Sequence, residues 1–122
     1  MLLDSNIIIY SCQMNNQTLR ILVNHQETSC SAISYVETLG YDKISEDEKN
    51  YLQRFFDTVT VYPITQKVIH LATQLRQQRR MSLGDAIIGA TALEYRQTLV
   101  TRNVKDFDWV DGLKVVDPFV GS

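Results

Sequence analysis

Short apolar runs alternate along this chain with longer stretches in which apolar residues recur every three or four positions. The runs Met1–Asp4, Thr28–Ser31, Thr58–Tyr62, Thr98–Thr101 and Leu113–Asp117 read as strands, the third with Val59 and Val61 set between polar neighbours. Between them, Ser5–Cys12, Gln17–His25, Ala32–Gly40, Ser45–Phe56, Thr65–Arg79 and Ser82–Arg96 read as helices. Ser45-Glu46-Asp47-Glu48 has the spacing of a capping box. Val68, Leu71, Ala72 and Leu75 form one apolar stripe on the helix from Thr65. The helix from Ser82 is dense in small residues, Gly84, Ala86, Gly89, Ala90 and Ala92, which favours close packing against a sheet. Strands alternating with helices predict an α/β domain built on a parallel sheet. No internal repeat or linker interrupts the pattern, so residues 1–122 are expected to form a single domain.

Composition narrows the class. The chain is 44% hydrophobic and 21% charged, as folded globular domains are. No apolar run approaches the roughly 18 residues of a membrane span. The start, Met1-Leu2-Leu3-Asp4, has neither the basic region nor the cleavage pattern of a signal peptide, so a cytoplasmic location is expected. Cys12 and Cys30 fall outside any CxxC pattern and are expected to be free thiols. His25 and His70 stand alone, which leaves a zinc site almost without ligands. The net charge of −2 excludes nucleic-acid binding through the overall field, leaving local basic clusters, metal ions or a partner chain.

The acids carry the chemistry. Asp4 ends the first strand, Glu37 lies one to two turns into the helix after the second, and Asp106 follows the fourth by a few residues. Asp85 lies in the first turn of the helix from Ser82. Ligands of open parallel sheets bind beyond the carboxyl ends of the strands, where strand order reverses. Four carboxylates converging on one edge would repel each other unless a divalent cation neutralised them, and hard oxygen donors suit Mg²⁺ or Mn²⁺. Each acid also has a structural reading. Asp4 could cap the helix from Ser5, and Ser34/Glu37, Ser82/Asp85 and Asn103/Asp106 all have cap-like spacing.

Four blocks resemble those of PIN-domain nucleases. They are Leu2-Leu3-Asp4-Ser5-Asn6-Ile7-Ile8-Ile9, Ser31-Ala32-Ile33-Ser34-Tyr35-Val36-Glu37-Thr38-Leu39, Leu83-Gly84-Asp85-Ala86-Ile87-Ile88-Gly89-Ala90-Thr91-Ala92-Leu93 and Leu99-Val100-Thr101-Arg102-Asn103-Val104-Lys105-Asp106-Phe107. Their order, spacing and total length are similar to the VapC-like toxins of type II toxin–antitoxin systems. The resemblance implies a three-layer α/β/α fold around a parallel sheet of four or five strands. It implies an Mg²⁺- or Mn²⁺-dependent endoribonuclease, a homodimer, and a cognate antitoxin that inhibits it and alone contacts operator DNA. By position, Asp4, Glu37 and Asp85 would be the principal metal-binding acids and Asp106 would complete the quartet. Asn6 and Thr101 would support the first acid. Ser5 stands where the family often has Thr, and Gly89 where Ala is usual, so a tight contact is expected at Gly89. Some members carry a fifth acid where Asn103 stands; Asp108 could substitute, which leaves two candidates for the fourth acid.

The chemistry implied is attack by water on an RNA phosphodiester, with no pair of histidines to run the alternative route. Arg102 and Lys105 lie nearest the acids and are candidate phosphate contacts. Arg76, Arg79, Arg80 and Lys67 are the densest basic group and read first as a solvated helix end. The competing readings are a catalytically silent PIN-like binding module and a phospho-receiver domain. The latter lacks both an acid pair after the first strand and an acid ending the third. A P-loop enzyme is excluded, since no GxxxxGK[ST] occurs.

Overall fold

A computed structural model describes residues 1–13 and 17–119. Five strands, β1 (Leu2–Leu3), β2 (Ser29–Ser31), β3 (Thr60–Tyr62), β4 (Leu99–Val100) and β5 (Val115–Val116), form one sheet in the order β3-β2-β1-β4-β5. All four pairings are parallel, with Leu3 opposite Cys30 on one side and Val100 on the other. Six α-helices connect them: α1 (Ser5–Gln13), α2 (Gln17–Val23), α3 (Ala32–Leu39), α4 (Glu46–Thr58), α5 (Gln66–Gln78) and α6 (Leu83–Glu94). The alternation of side chains along a strand sorts the core into layers. Leu3, Cys30 and Val100 face one way, into a cluster with Ile7, Ile8, Leu52, Phe55 and Phe56 of α1 and α4. Leu2 and Leu99 face the other way, onto Ile88 and Ala92 of α6 and onto Phe107. Helices thus cover both faces of the sheet, the three-layer α/β/α arrangement expected.

The strands are shorter than the apolar runs that announced them, because only two or three residues of each run find a ladder partner. Thr58 belongs to the end of α4 rather than to β3, and α2 stops at Val23, before His25. The Ser45 capping box forms in full, with Glu48 N–H donating to Ser45 Oγ and Ser45 N–H to Glu48 Oε1, each at 3.1 Å. In α5, Val68, Ala72 and Leu75 are buried while Leu71 is partly exposed. Helix α6 is buried almost all round, at Ala86, Ile88, Gly89, Ala90, Thr91 and Ala92, because it lies between the sheet and α5. The tight contact expected at Gly89 is absent. A Cβ there would meet Leu75 Cδ1 at 3.5 Å and Phe107 ring carbons at 3.6 and 3.7 Å, which is ordinary van der Waals separation.

Cys12 and Cys30 are free, Cys30 buried and its thiol pushed up to about 12 by that burial. Among the described residues no helix is long and apolar enough to cross a membrane.

Candidate active site

Strand order reverses at β1 and β4: from β1 the chain builds outward through β2 and β3, then returns to the far side as β4 and β5. Asp4 leaves the carboxyl end of β1 and Thr101 that of β4, so the two emerge side by side at the place where open parallel sheets take ligands. Both are buried. Thr101 Oγ1 donates to Asp4 Oδ2 at 2.7 Å. The same hydroxyl accepts from Asn103 N–H at 3.0 Å and from Asn6 Nδ2 at 3.4 Å. Asn6 and Thr101, expected to support the first acid, thus form a chain of hydrogen bonds that ends on its carboxylate. Asn6 Oδ1 is buried and has no hydrogen-bond partner among the described residues.

Glu37 reaches the same edge from the second turn of α3. Ser5 Oγ donates to Glu37 Oε1 at 2.7 Å and lies 2.8 Å from Ser34 Oγ. The capping reading of Ser34 and Glu37 therefore fails: Ser31 caps α3 by accepting from Ile33 N–H, and Ser34 sits inside the helix. Asp85 does belong to a cap. Its N–H donates to Ser82 Oγ at 3.1 Å, which fixes its place in the first turn of α6. The cap reading fails again at Asn103, whose side chain makes no capping bond to the 3-10 turn Val104–Asp106.

The electrostatics tie the acids together. Burial raises the Asp4 carboxyl to about 6; the Thr101 hydrogen bond opposes this, and the charges of Asp85 and Glu37 add to it. The Asp85 carboxyl is also raised, first by burial, then by the charge of Asp106, with Glu37 contributing; its bond to Ser82 opposes. Asp106 is thus the acid after β4 whose charge acts on Asp85. The convergence is looser than the sequence implied: among the described residues no three acidic side chains form a ready-made metal cage. Mg²⁺ does not need a closed cage, since it keeps several waters and takes one or two carboxylates. An all-oxygen donor set, a carboxylate raised by its own burial and further by its acidic neighbours, and the unpartnered Asn6 Oδ1 all fit such an ion.

The basic residues divide. The Arg102 guanidinium stacks over Phe119 at 4.1 Å and over Tyr10 at 5.5 Å, with Nε 3.8 Å from Asp117 Oδ1. It clips the segment after β5 onto α1. Lys105 is exposed on the 3-10 turn beside Asp106. Farther away, Arg79 stacks on Trp109 at 4.9 Å, Arg76 Nε donates to Met81 O at 3.3 Å, and Lys67 Nζ lies 3.9 Å from Glu94 Oε1. These contacts hold α5 against its neighbours. No sequence pattern pairs Ser5 or Ser34 with Glu37; the one signal is the hydroxyl that Ser5 keeps next to Asp4.

The PIN-domain family model matches residues 1–113. The chain belongs to the PIN-domain family. PIN domains are, as a family, nucleases. This PIN domain is similar to a chain of a toxin–antitoxin complex from Klebsiella pneumoniae, at 30% identity over 97% of both chains, with a TM-score of 0.77. At the level of fold it resembles a chain of VapBC2 from Rickettsia felis bound to a promoter DNA fragment (20% identity, 95% of this chain and 96% of that one, TM-score 0.81). It also resembles a chain of DNA-bound VapBC from Salmonella typhimurium (21% identity, 95% and 96%, TM-score 0.80). No curated protein sequence matches the chain significantly. A receiver domain is excluded by the family and by strand order, since that fold runs 2-1-3-4-5.

Proposed function

We propose that this PIN domain is an Mg²⁺- or Mn²⁺-dependent endoribonuclease and the toxin of a type II toxin–antitoxin pair. The observation that carries the reading is Asp4: a carboxylate buried at the switch point and raised first by that burial, with the charges of Asp85 and Glu37 adding to it. A structural cap would gain nothing from two further acids beside it. Asp4, Glu37 and Asp85 would hold the metal, with Asp106 completing the set. The ion supplies charge neutralisation and a water acidified toward neutral pH. The chain's own residues do the placing. Thr101 fixes the Asp4 carboxylate, Ser5 fixes that of Glu37, Asn6 offers Oδ1 to a water at the site, and Asp106 orients the attacking water. As that water's oxygen bonds to phosphorus, the bond to the ribose 3′ oxygen breaks, leaving a 5′-phosphate and a 3′-hydroxyl. Lys105, exposed beside Asp106, would meet a substrate phosphate, whereas Arg102 is engaged by Tyr10, Phe119 and Asp117.

The partners follow from the same reading. The named complexes among the similar structures support a cognate antitoxin. Operator DNA would be met through that antitoxin, in keeping with a net charge of −2. A second copy of the chain would cover apolar side chains left exposed, such as Tyr35 and Val36 of α3. RNA and antitoxin place the activity in the cytoplasm.

The test is cleavage of total RNA by wild type and Asp85→Asn, with Mn²⁺ or with EDTA. Cleavage by wild type with metal alone is expected. Equal cleavage by both proteins would trace the activity to a contaminant. No cleavage by either would leave a PIN-like binding module.

A further inference from the structure

The Glu37 carboxylate is seated at both of its oxygens, and one seat is a missing side chain. Oε1 accepts from Ser5 Oγ at 2.7 Å. Oε2 occupies the space that a Cβ on Gly84 would fill: a Cβ built there falls within overlap of Oε2 and 3.0 Å from Cδ. Gly84 is the second residue of α6, next to Asp85. Glycine is a poor choice at that point, because it weakens a helix relative to alanine. The second glycine of α6, Gly89, has no such neighbour and would accept a Cβ at ordinary contact distances.

We propose that Gly84 is a positioning residue for Glu37: its lack of a side chain opens the slot that brings the Glu37 carboxylate up to the first turn of α6, beside Asp85. The proposal rests on the nuclease reading of the acids. The obstacle a Cβ would meet is the far end of a flexible side chain, so the fold can absorb alanine by swinging the carboxylate aside. Stability and activity should therefore separate.

The experiment compares Gly84→Ala with Gly89→Ala in the full chain. Melting temperature, RNA cleavage, Mn²⁺ binding by paramagnetic resonance and the carboxyl ¹³C resonance of Glu37 are measured; that resonance is assigned by its loss in Glu37→Ala. Gly84→Ala should melt at or above the wild-type temperature. It should need about tenfold or more Mn²⁺ for half-maximal rate, as losses around a metal site typically do. Its Glu37 resonance should move. Gly89→Ala should melt higher and leave the other readouts unchanged. The Glu37→Ala/Gly84→Ala pair should be no slower than Glu37→Ala alone. Indistinguishable Mn²⁺ binding and Glu37 resonances in the two glycine variants would overturn the proposal. So would a Gly84→Ala protein that melts well below wild type, since the backbone would then be yielding instead of the carboxylate. Were wild type to cleave nothing, the nuclease reading would fall, and the Glu37 resonance would still decide whether Gly84 seats it.

Discussion

Thr101 Oγ1 and Asp4 Oδ2 are joined by a 2.7 Å hydrogen bond across 97 positions of the chain. The parallel pairing of β1 with β4, Leu3 opposite Val100, puts the residues that follow the two strands next to each other. The direction of the bond is settled by its surroundings. Thr101 Oγ1 already accepts from Asn103 N–H and Asn6 Nδ2, so its single proton goes to Asp4.

Thr101→Val keeps the shape and removes that proton. The buried Asp4 carboxylate then loses the side-chain donor that opposes its desolvation, and its pKa rises further above about 6. The acidic limb of the pH–rate profile should move up by about one unit, and the rate at pH 7 should drop about twofold, with a stability loss of roughly 1–3 kcal/mol for the orphaned buried group. Thr101→Ser should restore the profile. A Thr101→Val profile superimposable on wild type would remove Thr101 from the site.

The raised Asp4 carboxyl also sets a stability window. Asp4 moves from 3.8 to about 6 on folding, so the folded chain binds that proton more tightly than the unfolded one. The unfavourable contribution is absent below about pH 4, grows as pH rises through that interval, and is complete above about pH 6, where two units correspond to about 3 kcal/mol. In EDTA, Asp4→Asn should therefore melt near the wild-type temperature at pH 4 and well above it at pH 7. Mn²⁺ should raise the melting temperature of wild type at pH 7 and leave that of Asp4→Asn nearly unchanged. Parallel melting curves for both proteins across the pH range would show that Asp4 is not strained by burial.

Part of this arrangement is legible from position alone: Asp4, Glu37 and Asp106 each follow a strand, at the edge where a parallel sheet takes ligands. Asp85 follows no strand, and only the resemblance sets it with the other three. The partners of the acids were not legible. Nothing local links Ser5 to Glu37, because their contact depends on how α3 crosses α1. Gly84 looked like one more small residue in a helix of small residues, since its meaning lies in a side chain 47 positions away (84 − 37). Capping spacing misled in the same way: Ser34 and Glu37 have it, yet Ser31 caps the helix. The same spacing at Asn103 and Asp106 marks a 3-10 turn, Val104–Asp106, in which Asn103 makes no capping bond and which is too short to carry a periodicity of its own.

Arg102 and Lys105 should behave differently, although both are cations near the acids. Lys105→Ala should weaken RNA binding and reduce its salt dependence by about one counterion, as loss of one phosphate contact does. Arg102→Ala should chiefly lower the melting temperature, because its guanidinium stacks on Phe119 and Tyr10 and pairs with Asp117. An exposed cation–π contact contributes about 0.5–1 kcal/mol and a surface ion pair less. Arg102→Lys should not recover the loss, since an ammonium lacks the flat face that lies over Phe119. A salt slope reduced equally by both alanine variants would make Arg102 a phosphate contact as well.

Gly89 offers a stabilising change distant in role from the acids. It lies inside α6, where a glycine costs about 0.5–1 kcal/mol relative to alanine through the freedom it gives the unfolded chain. The added methyl would touch Leu75 and Phe107 at 3.5–3.7 Å, adding contact without displacing either. Gly89→Ala should raise the melting temperature by about 2–5 °C. Gly89→Leu should lower stability by about 1–3 kcal/mol, because the space beyond that methyl is filled by Leu75 and by the fully buried Phe107. Thermal melts of the two variants check the point: a Gly89→Ala protein less stable than wild type would mean that α6 sits closer to α5 than these contacts describe.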